Sequence, residues 1–552
     1  MPHVRLGAGF AAPGLTISAL VSLALLLRVA LAQRLSFQVD EAASILAAKM
    51  VAERGIPLLP SGALYLQGTP MSYVLAPLIW LGFGDLSQLT VLRLGCAAAG
   101  VVAVYASFRT ALLLIDWPLV AGFIALLVAL DPVSAEWSAH ARMYAPLQAL
   151  TMVLAWQLAA LLQSPSGRRL AVVTSLTWAA MLTHAAAVFL LPGIIAGVVF
   201  AASTRPRLRF LVGGAIVAIV AAPLGLLTVN RTSDLDRRIS STDVAGLPFV
   251  GAQLLDPARV LHPDFHAWRE LFDDGYFASV MPWLVVGSGL LAMAAGRRLG
   301  GFRWLACGVL SLLYAGPTIG IAMLTSTDQP RYLLAVHPIA FIAIGLAIRL
   351  ILPCGLLGQH TWIPSMRAIL AAGLALIVAS HTISGLSALW KRPVIGPDYV
   401  AAFAFVRAHR LPSEPVIVSL PAVARLELDD GATIVFLAGS EESVRTQRYT
   451  WRTSDGRMVD FWLGGEAIVS TREFCAALSK HPDAWLVVDE QRIGATWAYG
   501  GSMRRLILGL TYRTFRAPGG AVVRRVAPSD QQIPAVQQTC QDATRPAEVT
   551  PS

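Results

Sequence analysis

The sequence predicts a polytopic α-helical membrane protein that carries a small C-terminal α/β domain. Three observations lead there. First, 56% of the 552 residues are hydrophobic and 14% are charged, where a soluble domain carries about 25% charged residues. The mean hydropathy is +0.62. A soluble fold this apolar would lack the polar surface to cover itself, and a bilayer removes that need. Second, apolar runs recur from Leu15 to Leu389. Third, charge returns beyond Pro397, and short β-rich runs begin to alternate with helical ones.

Taken in order, the apolar runs predict spans near 14–32, 91–113, 118–131, 143–163, 170–184, 186–203, 209–228, 278–296, 303–324, 332–352 and 366–388, for a total of about 11–12 transmembrane helices. Arg28 interrupts the first run just ahead of a small-residue cleavage pattern at Ala30-Leu31-Ala32, so that run reads as an uncleaved span. The run 72–84 is short and suits an interfacial or re-entrant segment better than a crossing.

Basic clusters at Arg168-Arg169, at Arg205, Arg207 and Arg209, and at Arg297, Arg298 and Arg303 belong on the cytoplasmic side. They also account for the net charge of +10 without a nucleic-acid partner. Segments 33–70, 131–142, 229–277 and 325–331 then fall on the outer side, and so does everything after Trp390. The membrane domain covers 1–390 and the soluble domain 397–527. In the latter, 400–409 and 473–480 read as helices, and 415–420, 433–437 and 485–488 as strands. The tail 528–552 is rich in Pro, Gln and Thr and reads as disordered. Cys96, Cys307 and Cys354 sit in or beside apolar runs, as small buried residues do. Cys475 and Cys540 share the soluble domain and can pair if it lies outside the cytoplasm.

Polar residues gather at the outer helix ends. Asp40-Glu41 follows the first span and opens an amphipathic stretch over 42–54 that suits a helix on the membrane surface. Asp40 there suits both an N-cap and a general base. The segment from Asp131 to Tyr144 holds Glu136, Trp137, His140 and Arg142. Trp137 and Tyr144 fit an interfacial belt, but Arg142 opens an apolar run from the outside, where an anionic group would explain it. Arg331 does the same in Asp328-Gln329-Pro330-Arg331-Tyr332. His184 stands in an apolar stretch, where ionisable groups mark function. The loop 229–277 holds Arg231, Arg237, Arg238, Asp256, His262, Asp264, His266, Trp268 and Arg269. His262, Asp264 and His266 have metal-like spacing, although a solvated loop explains them as well.

In this order and on this side, these residues resemble the GT-C superfamily of membrane glycosyltransferases, in particular the family 39 group of protein O-mannosyltransferases and lipid A aminoarabinose transferases. The resemblance covers about residues 15–350. It rests on Asp40-Glu41, Gly68-Thr69-Pro70-Met71-Ser72-Tyr73, Ala141-Arg142-Met143-Tyr144, Pro330-Arg331-Tyr332-Leu333-Leu334 and His184. It implies transfer of a sugar from a polyprenyl-phosphate donor to a glycan, lipid or protein acceptor on the outer face of a plasma or inner membrane, with inversion at the anomeric carbon. By the same resemblance Asp40 is the base and Glu41 orients a substrate. Arg142 and Arg331 stabilise the leaving phosphate, while Tyr144, Tyr332 and His184 line the pocket. No cofactor is implied, and the need for a divalent cation stays open. Two departures bear on donor binding: many relatives carry Lys-Pro-Pro where Gly68-Thr69-Pro70 stands, and Glu where His140 stands. Outside the resemblance, a transporter or lipid-linked sugar flippase and a non-catalytic scaffold stay open as alternatives.

Overall fold

The structure, a computed structural model, describes residues 11–65, 68–84, 86–205, 209–232, 261–295, 300–324, 329–352, 362–392, 396–428, 432–439, 449–453, 455–495, 498–528, 538 and 540. Arg207, Arg237, Arg238, Asp256, Arg297, Arg298, Asp328, Cys354 and nearly all of the tail 528–552 therefore lie outside the described residues.

The membrane domain is built from α1 (Ala11–Arg34), α2 (Val39–Arg54), α3 (Thr69–Trp80), α4 (Leu89–Ile115), α5 (Pro118–Leu130), α6 (Pro132–Ser138), α7 (Tyr144–Gln163), α8 (Gly167–Thr183), α9 (Leu191–Thr204), α10 (Arg209–Thr232), α11 (His266–Glu270), α12 (Met281–Ala295), α13 (Gly301–Leu324), α14 (His337–Ile351) and α15 (Trp362–Lys391). Each predicted span coincides with a helix. Among the described residues, however, only 6 are long and apolar enough to cross a membrane, or 7 if the bent pair α5–α6 forms one span. The sequence count of 11–12 exceeds this because breaks shorten several runs. Helices α12 and α14 have 15 residues each, and α5 and α6 meet at a bend of 56°. The chain is nonetheless a multi-pass membrane protein. Helix α3 has 12 residues, about 18 Å of helix, too little to cross a core about 30 Å thick by itself.

The α5–α6 bend shows how sequence sets the local structure. Pro132 has no N–H to give Val128, and its ring opposes a continuing helix. The buried Arg28 supplies the missing donor. Its Nη2 donates to Val128 O at 3.4 Å, and its Nη1 donates to Ala129 O at 3.1 Å. Gly100 makes this approach feasible, since a Cβ there would stand 2.5 Å from Arg28 Nε. The charge that interrupts the first apolar run is therefore a helix-end ligand within the bundle. Past the bend, Asp131 Oδ2 accepts the Ser134 N–H at 2.8 Å and caps α6. Asp131 Oδ1 meets Nε2 of the buried His337 at 3.2 Å.

Helix α2 differs from its prediction in two ways. Its N-cap is Gln38, not Asp40. The Gln38 side chain accepts the Asp40 N–H at 3.0 Å, while Glu41 Oε2 accepts the Gln38 N–H at 2.9 Å, a reciprocal capping box. Nor does it leave one amphipathic side open. Residues Glu41–Ala48, Met50 and Val51 are all buried, as expected for a helix covered on every side.

The covering layer is the C-terminal domain. Its elements are α16 (Tyr399–His409), β1 (Val416–Val418), α17 (Pro421–Glu427), β2 (Ile434–Leu437), β3 (Thr450–Arg452), β4 (Met458–Asp460), β5 (Ala467–Ile468), α18 (Thr471–Lys480), β6 (Trp485–Asp489), α19 (Glu490–Gly494), α20 (Gly500–Leu510), β7 (Thr511–Arg516) and β8 (Ala521–Val526). Six strands form one sheet in the order β5-β2-β1-β6-β8-β7, and β3 pairs with β4 separately. Strands β5, β2, β1 and β6 run parallel, while β8 and β7 close the edge antiparallel.

Alternation along β1 and β6 sorts side chains to the two faces of the sheet. Val416, Val418 and Val487 join a core with Tyr399, Phe403 and the α2 residues Ala42, Ile45 and Leu46. Ile417, Leu486 and Val488 join the opposite core with Phe474 and Cys475 of α18 and Leu506 of α20. One face of this sheet thus shares a hydrophobic core with α2. Ser61 strengthens the seam: its Oγ donates to Phe461 O at 2.6 Å, and its N–H donates to Trp462 O at 3.1 Å. Cys475 and Cys540 form a disulfide with Cα atoms 5.4 Å apart.

Candidate active site

The sequence-predicted residues converge at one end of the bundle, where α2 begins, α6 gives way to α7, α8 ends and the turn at Pro330–Tyr332 enters α14. Asp40 and Glu41 are consecutive on α2, so their side chains leave the helix about 100° apart and enter different surroundings.

Glu41 points inward and is fully buried. Arg93, near the start of α4, donates from Nε to Oε1 at 2.9 Å and from Nη2 to Oε2 at 2.7 Å, a bidentate pair. Ala141 N–H donates to Oε1 at 2.6 Å, Gln38 N–H donates to Oε2, and His140 Nδ1 lies 3.4 Å from Oε2. The remaining Arg93 donors reach the carbonyls of Ala32 and Leu35 at 2.8 Å and of Ser36 at 2.9 Å. Burial opposes the Glu41 charge, but Arg93 and His140 outweigh it and hold the carboxyl below its ordinary range. With both oxygens occupied by protein donors, Glu41 fixes the register of α1, α2, α4 and the turn before α7.

Asp40 points the other way and keeps 37% side-chain exposure. Arg142 Nη2 and Arg331 Nη1 each stand 3.5 Å from its Oδ2. These guanidiniums are held by different devices. Arg142 Nη1 donates to Asp40 O at 2.8 Å, Tyr65 OH at 2.9 Å and Ser44 Oγ at 3.1 Å. Arg331 lies among aromatic rings, its Cζ 5.5 Å from the Trp137 centroid, 5.6 Å from Tyr144 and 5.7 Å from Tyr332, within cation–π range. Nε of each arginine is buried without a hydrogen-bond partner among the described residues. Burial opposes ionisation of Asp40, and Arg142 followed by Arg331 outweighs it, so the carboxyl sits below its ordinary range.

Tyr144, His184 and Tyr332 form one aromatic cluster. Ring centroids are 5.7 Å apart for Tyr144–His184, 5.4 Å for His184–Tyr332 and 6.2 Å for Tyr144–Tyr332. The side chain of His184 caps the turn that follows α8, its Nδ1 accepting the Ala186 N–H at 3.0 Å. Tyr144 is 2% exposed, which excludes the interfacial-belt role its sequence position suggested. Its edge packs on Trp137 at 5.0 Å. Gly68 adopts φ 84°, a left-handed conformation that favours glycine, and a Cβ there would press on Met143 Cβ at 3.1 Å. The start of α3 thus sits close against the turn that carries Arg142.

Sequence reasoning missed Arg93, Tyr65 and Ser44, and for Trp137 it offered only an interfacial belt. Arg93 had a readable signal, an arginine within the outer end of an apolar run, the same signal that singled out Arg142 and Arg331. Tyr65 and Ser44 had none. Around α11, Asp264 Oδ1 accepts the His266 N–H at 2.9 Å, and His266 Nε2 pairs with Glu270 Oε1 at 2.9 Å. Among the described residues no three His, Cys, Asp or Glu side chains gather as a metal site.

Solved structures match this arrangement over nearly its full length. ArnT from Cupriavidus metallidurans in the apo state aligns with a TM-score of 0.58 at 15% identity, over 94% of this chain and 99% of ArnT. ArnT bound to undecaprenyl phosphate aligns with a TM-score of 0.55 at 14% identity over the same shares. The fold is GT-C. The oligosaccharyltransferase of Archaeoglobus fulgidus, tethered to an acceptor peptide, aligns with a TM-score of 0.52 at 12% identity, over 94% of this chain and 74% of that one. No family model matches the sequence, and no curated protein does. At these identities the GT-C likeness is one of fold, and the chemistry has to be argued from the site.

Proposed function

We propose that this GT-C protein transfers a sugar from a polyprenyl-phosphate-linked donor to a hydroxyl of a glycan, lipid or protein acceptor on the outer face of a plasma or inner membrane. The observation that carries this reading is a single solvent-accessible carboxylate, Asp40, held between two guanidiniums from different helix ends. One negative charge against two positive ones leaves a surplus that suits a phosphate at the bundle's edge. That ArnT was solved with undecaprenyl phosphate in the same fold supports a lipid-linked donor here.

In the reaction, Asp40 accepts the proton of the acceptor hydroxyl. The oxygen attacks the anomeric carbon from the face opposite the phosphate, and the new C–O bond forms with inversion. The bond from carbon to phosphate oxygen breaks, its electron pair leaving with the lipid phosphate. Arg142 and Arg331 stabilise that charge as it develops. Tyr144, Tyr332 and His184 form the wall beside them. Glu41 acts at one remove, as a positioning residue that holds Asp40 and Arg142 in register, which revises the substrate-orienting role the resemblance implied.

The site also explains how a carboxylate held below its ordinary range serves as a base. Such a group binds protons weakly while both arginines face it. A docked phosphate draws on the same two guanidiniums, weakens their pull on Asp40 and raises its basicity in the loaded complex.

The C-terminal domain, in this reading, is extracytoplasmic. The Cys475–Cys540 disulfide fits an oxidising compartment, as does the sidedness of the basic clusters. The decisive measurement is sugar transfer in membranes supplied with polyprenyl-phosphate-linked sugars, comparing the native chain with Asp40→Asn. Full activity in the variant would overturn the assignment of the base. Movement of a lipid-linked sugar across the bilayer without transfer would favour a flippase instead.

A further inference from the structure

The sheet of the C-terminal domain has a topological switch point. From β1 the chain crosses through α17 to β2 on one side, and later returns through α18 to β6 on the other. In open α/β sheets, ligands bind in the crevice at the carboxyl ends of the strands where the order reverses. Here that crevice lies beyond Val418 of β1 and Asp489 of β6. Polar groups fill it. Tyr399 OH bonds Asp489 Oδ2 and lies 3.0 Å from Ser419 Oγ. Arg492 Nη1 donates to Tyr399 OH at 3.1 Å and pairs with Asp489 Oδ2 at 3.3 Å. Asp489 Oδ1 also accepts the Arg492 N–H at 2.6 Å.

This crevice belongs to the same sheet face that shares a core with α2, whose first turn carries Asp40. Both side-chain contacts of Arg492 use Nη1. Its Nε and Nη2 have no hydrogen-bond partner among the described residues, and the side chain keeps 18% exposure. Charge is unbalanced as well: Arg142, Arg331 and Arg492 face the carboxylates of Asp40 and Asp489.

We propose that Arg492 is a third cation of the active site and binds a phosphate group of the substrate from the soluble-domain side, on the glycosyl-transfer reading above. The domain is then the roof of the site, and Tyr399 and Asp489 aim the arginine. The charge of Arg492 adds, after Arg142 and Arg331, to the pull that holds the Asp40 carboxyl below its ordinary range. A guanidinium with two free donor nitrogens suits the paired oxygens of a phosphate.

The test uses the full-length protein in detergent. Binding of a short-chain polyprenyl phosphate and of inorganic phosphate is titrated for the native chain, Arg492→Gln and Arg492→Lys. The glutamine variant is expected to weaken binding of at least one probe by about tenfold or more. The lysine variant retains part of that binding, and both keep the native thermal midpoint. Weakening of the lipid probe assigns the phosphate to the donor, and weakening of inorganic phosphate alone assigns it to a soluble or acceptor-borne group. Native affinity for both probes in the glutamine variant overturns the proposal, as does a loss that only accompanies a fall in thermal midpoint in both variants. Because the readout is binding, the two readings fail separately. A chain that binds phosphate through Arg492 but transfers no sugar refutes glycosyl transfer alone. Sugar transfer with native affinity in the glutamine variant refutes only the role of Arg492.

Discussion

Asp40 and Glu41 are the same kind of group one residue apart, and the fold treats them oppositely. Glu41 is closed in, with both oxygens bonded by Arg93, Gln38 N–H and Ala141 N–H. Asp40 stays open, with two arginines at 3.5 Å and a third of its side chain exposed. A fully paired buried carboxylate organises structure, since breaking such a pair leaves an uncompensated charge. A half-satisfied one beside surplus positive charge is available to a substrate. The lesson is that pairing and access, more than residue type, separate a structural acid from a reactive one.

The comparison can be broken most severely at Arg93. Replacing it with Ala strands the Glu41 charge and should cost about 3–5 kcal/mol of stability, read as lost expression of folded protein or a much lower thermal midpoint. A stable Arg93→Ala protein with native activity would remove the distinction between the two acids.

Next comes Asp40→Asn, which should lower sugar transfer by about 10²–10⁴-fold and leave the thermal midpoint in place, in contrast to Arg93→Ala. Arg331→Ala should follow with a smaller loss of about 10²–10³-fold in turnover. Arg142 remains paired with Asp40 in this variant, so little unfolding is expected, which thermal melts of the purified variant will check.

The smallest effect concerns pH. Asp40 is held below its ordinary range, so the acid limb of kcat/KM, which reports the free enzyme, should lie below the usual carboxylate range. The acid limb of kcat reports the loaded complex, where phosphate competes for Arg142 and Arg331, and should lie at higher pH. Coincident limbs would mean that substrate does not share these arginines with Asp40.

Much of this was legible in the sequence because a bilayer makes anomalies conspicuous. A charge in an apolar run is costly, so Arg142, Arg331 and His184 stood out, and the structure brings them together. Arg93 carried a similar signal, within the predicted run 91–113 rather than just ahead of it, and without a flanking aromatic motif to draw attention. The apolar runs outnumber the long unbroken helices among the described residues for a related reason. Hydropathy reads apolar length, whereas the break at Pro132 depends on how the backbone's hydrogen bonds are met.

The sequence by itself determined the solvent, the approximate place of each helix, the existence of a strand-bearing C-terminal domain and the acids and arginines at the helix ends. Those follow from local hydrophobicity, which each segment carries on its own. Only the tertiary structure decided which of two adjacent carboxylates is free, that α2 is buried under the soluble sheet, and that Arg492, some 450 residues further along the chain, sits with Tyr399 and Asp489 on the sheet face packed against α2. Those follow from helix rotation and from contacts between distant segments, which no local pattern encodes.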